Sequence, residues 1–379
     1  MTANRPLNVA LIDPSGFSRP YDHELARALA ARGHRVTLYT SAFVHGAAPQ
    51  AQGYAVSEIF YRHSNRMPGP ARARQAAKAA EHVAGLMALR SRLRRERPDI
   101  VHVQWCVLRP VERAFYRRLE RSGVPVVFTA HDPLPNVGGA GRRRSVAATA
   151  RAFRRVIVHT GWGRRALVEQ SGVAPGRVRV IPHGELGYLR DAPGAPVPQD
   201  AAGPTVLLPG LIRPYKGADV LLAAWPRVRE RVPDARLVIA GRPMLDMGVL
   251  PTGQPGVELI PRYVDDGELA ALLRRADVVA LPYRSIDSSG VVFAALAMGA
   301  ALVLSDVGGF HEMHTEHGVG ELVPAGDASA LAGAVAGVLA DPVRRDRLRE
   351  ASRAAAAGPF SWSSIAAATE AVYQEVVPR

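Results

Sequence analysis

Short apolar runs alternate with helical stretches twice along this chain, and a segment without periodicity separates the two series. In the first series NVALID (Asn8 to Asp13) leads through a loop into a helix from about Asp22, its expected cap. Leu25, Ala28 and Leu29 fall on one face of that helix. Gly33 stops it, and VTLYT (Val36 to Thr40) returns as a strand. The rhythm recurs at Ile100 to Val103, Val124 to Ala130 and Val156 to His159. After DAPGAPVPQDAAGP (Asp191 to Pro204) it restarts with TVLLP, ARLVIA, VELI, DVVALPY and ALVLSD. Strands alternating with helices of this length predict an α/β fold of two Rossmann-like, doubly wound parallel sheets facing a central cleft. The expected division is residues 1–190, a linker at 191–204, residues 205–358, and a last amphipathic helix within 359–379.

With 379 residues there is material for two full cores. No apolar run approaches the roughly 18 residues of a membrane span, and the N-terminus enters a strand without the pattern of a secretory signal. The single cysteine, Cys106, excludes an intrachain disulfide and a cysteine-based zinc site, so a cytoplasmic setting is expected. The net charge of +14 is unevenly placed. Residues 1–191 hold 31 Lys and Arg against 13 Asp and Glu, or +18, which leaves 17 against 21, or −4, for the rest. Two readings stand beside each other: arginine-rich composition on solvated faces, or an anionic partner for the first half, such as a phosphate-bearing acceptor or peripheral contact with an acidic membrane face. Nucleic acid fits less well, because the arginines are not interleaved with stacking aromatics.

Ligands of open α/β sheets sit beyond the carboxyl ends of the strands, which selects four turns. In the first half they are DPSGFS (Asp13 to Ser18) and AHDPLP (Ala130 to Pro135); in the second, GLIRPYKG (Gly210 to Gly217) and SIDSSG (Ser285 to Gly290). Arg213 and Lys216 put two cations at a strand-to-helix turn. Ser288, Ser289 and Gly290 open a wholly apolar helix closed by Gly299. Cations above and unpaired backbone N–H groups below are what a diphosphate needs. Taken singly, the serines also read as an ordinary helix cap and Pro-Tyr-Lys-Gly as a surface turn.

Taken together, GLIRPYKGADVLLAA, ADVVALPYR, Ser-Gly-Val, SDVGGFHE and LVPAGD resemble, in order and spacing, retaining GT-B glycosyltransferases of family 4. HTGWGRRALVEQSGV and VRVIPHGE resemble the end of that family's first domain, and Phe360-Ser361-Trp362 the opening of the helix that crosses back to it. The resemblance is strong after about His159 and weak before it. It implies a metal-independent transferase whose co-substrate is a nucleotide-diphosphate sugar, with no other cofactor. Arg213 and Lys216 would hold the diphosphate in a catalytic role, with His131 near the donor sugar and the acceptor. Ser288, Ser289, Gly290 and Val291 would meet the phosphates, Ser15 and Gly16 would approach from the first domain, and Asp287 and Glu312 would stand on the donor side. Asp132, Trp105 and Trp162 are the expected acceptor-side residues, although core or interface packing is the stronger reading for the tryptophans. The family's two glutamates around this helix are replaced by Ile286 and Ala294, neither of which can accept a hydrogen bond through its side chain. That loss keeps open an inactive scaffold that only binds; a nucleotide-sugar epimerase of the same fold also stays open, with Asp13, Asp132 and Asp287 its evident cleft carboxylates.

Overall fold

A computed structural model describes residues 5–44, 49–68, 70–133, 139–192, 203–250 and 253–378. The chain divides into two compact units, residues 1–182 with 362–379, and residues 183–361. Of the linker expected at 191–204, residues 193–202 lie outside the described residues, as do Leu134 and Pro135 of the AHDPLP turn.

The first unit is a seven-stranded sheet: β1 (Asn8–Asp13), β2 (Arg35–Ser41), β3 (Ala55–Phe60), β4 (Ile100–Val103), β5 (Val126–Thr129), β6 (Arg155–Val158) and β7 (Val178–Val180). Its order is β3-β2-β1-β4-β5-β6-β7 with every pairing parallel. The crossovers are α1 (Arg19–Ala31), α2 (Ala71–Glu96), α3 (Arg109–Arg121), α4 (Gly139–Ala150) and the short α5 (Gly161–Arg165). The first helix begins at Arg19 rather than after a cap at Asp22, because Pro20, with its φ already helical, sits in the opening turn. Asp22 is instead buried within that turn.

The second unit is a six-stranded sheet: β8 (Thr205–Pro209), β9 (Arg236–Ala240), β10 (Val257–Ile260), β11 (Val278–Leu281), β12 (Leu302–Ser305) and β13 (Glu321–Val323). Its order is β10-β9-β8-β11-β12-β13, again parallel throughout. The helices are α6 (Ala218–Arg231), α7 (Asp266–Arg275), α8 (Gly290–Ala297), α9 (Gly308–His317), α10 (Ala328–Ala340) and α11 (Pro342–Ala357). The last helix, α12 (Trp362–Gln374), belongs to the first unit, where Trp362, Ile365 and Tyr373 join the core under α1.

Central strands such as IVHV and VVAL are buried along their whole length, as strands covered by helices on both faces must be. Burial at 1% exposure obliges His102 of β4 to find partners. Its ring nitrogens meet the Tyr373 hydroxyl at 2.8 Å and Thr129 Oγ1 at 2.7 Å. Among the described residues, no helix is long and apolar enough to cross a membrane.

Candidate active site

In the second unit, β8 and β11 are neighbours in the sheet, so the turns that leave their carboxyl ends lie side by side. Lys216 ends the turn after β8, and its Nζ stands 5.2 Å from the centre of the Tyr283 ring, just past β11. Tyr283 is fully buried, and its hydroxyl lies 3.5 Å from Ser289 Oγ. The Lys216 ammonium and the Val291 side chain flank Gly210, 3.1 and 2.9 Å from where a β-carbon would stand there. Arg284 ties the two turns together, donating its N–H to the Tyr215 carbonyl at 2.7 Å and a guanidinium hydrogen bond to Pro214 O at 3.0 Å. The structure thus brings Arg213, Lys216, Ser289, Gly290 and Val291 into one neighbourhood.

Ser289 occupies the cap position of α8, but its side chain makes no capping hydrogen bond. The first N–H groups of this buried helix, at Gly290 and Val291, have no intrahelical acceptor, so the positive end of the helix is open to an anion. Ser288 and the buried Asp287 precede it. Ile286 and Ala294 face the hydrophobic core, at 9% and 1% exposure. Gly308 at the start of α9 packs on the Ile286 carbonyl, and the half-buried Glu312 lies one turn further along that helix.

Burial, reinforced by the like charge of Arg213 and opposed by Tyr215, pulls the Lys216 ammonium down to about 8. It is charged at neutral pH and loses its proton as pH rises through that value. Donor kcat/KM is therefore expected to fall above about pH 8, by about tenfold per unit. In Lys216→Arg, whose guanidinium stays charged, the fall should move upward. A pH–rate profile that is flat to about pH 9.5 in the wild type would contradict the lowered Lys216 ammonium.

In the first unit, the carboxyl ends of β1, β4, β5 and β6 converge on His131. Asp13, fully buried, folds the first turn around itself: Oδ1 accepts from the N–H of Ser15 at 3.0 Å and its hydroxyl at 2.7 Å, and Oδ2 from the N–H of Ser18 at 3.3 Å. Gly16 adds a 3.3 Å hydrogen bond to the Asp13 carbonyl. Ser18 in turn accepts from Trp105 Nε1 at 2.8 Å, and Trp105 stacks on His131 with centroids 5.0 Å apart and planes at 13°.

His159 donates from Nδ1 to the Ile181 carbonyl at 3.1 Å, and burial pushes its imidazole down to about 4, so the ring is neutral and Nε2 accepts. Nε2 lies 2.9 Å from His131 Nδ1, which therefore carries the proton. His131 Nε2 lies 3.0 Å from the Gln104 side-chain amide. Both ring nitrogens of His131 thus lie within hydrogen-bonding distance of side chains of this unit, and Tyr21 meets the ring edge-on at 4.9 Å. Gln104 and His159, which hold this ring, were not among the residues expected from the sequence; both stand at strand ends, the signal that located His131.

A small pocket beside His131 is lined by Trp105, Cys106, Arg109, Asp132 and Arg142. Asp132 lies 4.0 Å from Arg142, and both side chains are partly exposed. Burial, then the like charge of Arg142, holds the Arg109 guanidinium below its ordinary range. Trp162, half-buried in α5, makes no ring contact with this group among the described residues.

Residues 21–184 match the description "Glycosyltransferase Family 4" and residues 203–341 match "Glycosyl transferases group 1". The chain is 29% identical over 412 residues to a D-inositol 3-phosphate glycosyltransferase of Xylanimonas cellulosilytica, covering 99% of this chain and 95% of that one. It is 38% identical over 179 residues to a phosphatidyl-myo-inositol mannosyltransferase of Mycobacterium leprae, a match that spans 46% of this chain and 47% of that enzyme. In fold it is similar to a sucrose-phosphate synthase from Thermosynechococcus elongatus, with a TM-score of 0.70, 20% identity, and 98% and 99% of the two chains covered. Two parallel α/β sheets in this order, with these matches across both units, make the chain a member of the group 1 GT-B glycosyltransferases.

Proposed function

We propose that this glycosyltransferase moves a hexose from a nucleoside-diphosphate sugar to a hydroxyl of a phosphate-bearing acceptor, keeping the anomeric configuration and using no metal ion. The observation that carries the reading is the cradle of the second unit, two fixed cations beside the uncapped first turn of a buried helix. As the bond from sugar to phosphate breaks, the nucleoside diphosphate leaves with its electron pair and negative charge grows on the phosphate. Arg213, Lys216 and the N–H groups of Gly290 and Val291 meet that charge without reorganising, the part a divalent ion plays elsewhere. The acceptor hydroxyl forms the new bond to the anomeric carbon and gives its proton to the departing phosphate oxygen. Retention rests on the family resemblance.

The acceptor class rests on Arg109 and Arg142 beside His131, since a phosphate between them would offset the like charge each imposes on the other. The two relatives are named for inositol 3-phosphate and phosphatidyl-myo-inositol, which share a phosphate on a polyol. Arg109→Leu is expected to raise KM for inositol 3-phosphate about 10- to 100-fold, the worth of one charged hydrogen bond, and to leave KM for the donor unchanged. An enzyme that prefers unphosphorylated inositol would overturn this reading.

Peripheral membrane contact is assigned to α2. Val83 and Met87 are 44% and 56% exposed one turn apart, and Arg90 and Arg94 continue the same face. Sedimentation with phosphatidylglycerol vesicles is expected at low salt, weakening as salt rises and failing in Val83→Asp/Met87→Asp. No binding at low salt would leave the arginine excess as composition.

A further inference from the structure

The strands of the first unit have a second end, away from His131 and Trp105. At the amino-terminal ends of β5, β6 and β7 the surface forms an open hollow of about 550 Å³, within the volume range of small-molecule sites. Four guanidinium groups line it: Arg117 and Arg121 from the last turns of α3, Arg154 before β6 and Arg177 before β7. Val376 and Pro378, after α12, close one side.

No side-chain hydrogen bond or ion pair from a described residue reaches the guanidinium group of any of the four, although Arg155 donates to the Arg154 carbonyl at 3.2 Å. The neighbouring carboxylate that could serve, Glu375, is already taken by Arg155 and Arg179, each at 2.8 Å. Glu120 is the one carboxylate lining the hollow; it is half-buried, and its Oε1 has no hydrogen-bond partner. Burial raises its carboxyl, while Arg154, Arg177 and Arg117 act in the opposite direction. The negative end of the α3 dipole accounts for basic residues in its last turn. It does not account for Arg154 and Arg177, which arrive from two other segments. Four positive charges against one, around a concave wall, are a surplus that no side chain among the described residues of this unit neutralises.

We propose that this hollow binds a soluble ligand carrying two or more phosphate groups, at a site separate from the donor and acceptor positions. Guanidinium forks match phosphate oxygens bidentately, and four of them from three segments suit a multiply charged anion better than a single phosphate. Glu120 Oε1 would accept from a hydroxyl of that ligand. The concave shape favours a small molecule over a bilayer.

The test is calorimetric titration of inorganic pyrophosphate into the full chain carrying Arg213→Ala/Lys216→Ala and Arg109→Leu/Arg142→Leu, so that neither the donor cradle nor the arginines beside His131 contribute. One binding event is expected to remain, to weaken tenfold or more when Arg154→Gln/Arg177→Gln is added, and to persist within a few-fold in Arg154→Lys/Arg177→Lys. The glutamine variant, whose changed side chains touch no partner, should keep the parent melting temperature. No binding in this background, or binding indifferent to the glutamine pair, would overturn the proposal. A second arm uses phosphatidylglycerol vesicles. Vesicle binding unchanged by the glutamine pair is expected, and vesicle binding lost with it, without any pyrophosphate binding, would assign these arginines to a membrane surface instead. The result does not depend on the transferase reading, whose residues lie elsewhere.

Discussion

Arg213→Ala and Lys216→Ala are each expected to lower kcat/KM for the nucleotide sugar by about 2–4 kcal/mol, roughly 30- to 1,000-fold. The loss should fall on kcat as well as on KM. A cation that only held the ground-state diphosphate would change KM alone, whereas these meet charge that grows as the sugar leaves. Lys216 is set for that task by its surroundings: the Tyr283 ring lies beneath it, Val291 beside it, and protein has replaced most of its water. In such a setting each charge acts through a lower dielectric than at an open surface. The two variants should also be less than additive, because both act on one diphosphate. Steady-state kinetics with the donor varied at saturating acceptor measures this, and unchanged turnover in both variants would remove the phosphate role.

Gly308→Ala should be the most damaging single methyl group in the second unit. Gly308 has φ +46°, in the left-handed region, and an alanine β-carbon would stand 1.7 Å from the Ile286 carbonyl oxygen. The obstacle is backbone, so no rotamer change relieves it. Either α9 lifts from β12, or the segment from Ile286 to Ser289 moves and carries the α8 N-terminus with it. A cost of about 3–5 kcal/mol is expected, combining left-handed strain with overpacking. For a unit of this size that is a melting shift of roughly 6–20 °C. Donor affinity should fall in parallel, since the displaced segment leads into the phosphate cradle. Gly333→Ala is the control: it lies within α10 with open space where its β-carbon would go, and should be neutral or slightly stabilising. Equal melting temperatures for the two variants would contradict the account.

Much of this architecture can be read from apolar runs, because strands buried on both faces are nearly continuous in Val, Ile, Leu and Ala. Three strands escape that reading. Ala55–Phe60 is half exposed at a sheet edge, and Val178–Val180 and Glu321–Val323 are three-residue strands at the other edges. The long α2 is hidden for a related reason: alanine and arginine supply helix propensity but little apolar stripe. At the site, Arg213, Lys216 and the Ser-Ser-Gly helix start are local signals. That Tyr283 lies under Lys216 is not, since it depends on β8 and β11 pairing across some seventy residues. The same holds for His131. Its strand-end position is visible in Ala-His-Asp, whereas the partners of its nitrogens come from the ends of two other strands. The missing glutamates also acquire a physical meaning, because Ile286 and Ala294 are core residues.

The most direct test of the central claim is a crystal structure of the full chain with a nucleoside diphosphate bound. The account predicts terminal-phosphate oxygens about 3 Å from the backbone nitrogens of Gly290 and Val291, with Lys216 Nζ and the Arg213 guanidinium on the same phosphates. A diphosphate bound elsewhere in the second unit, or one that leaves the first turn of α8 without an anion, would contradict it.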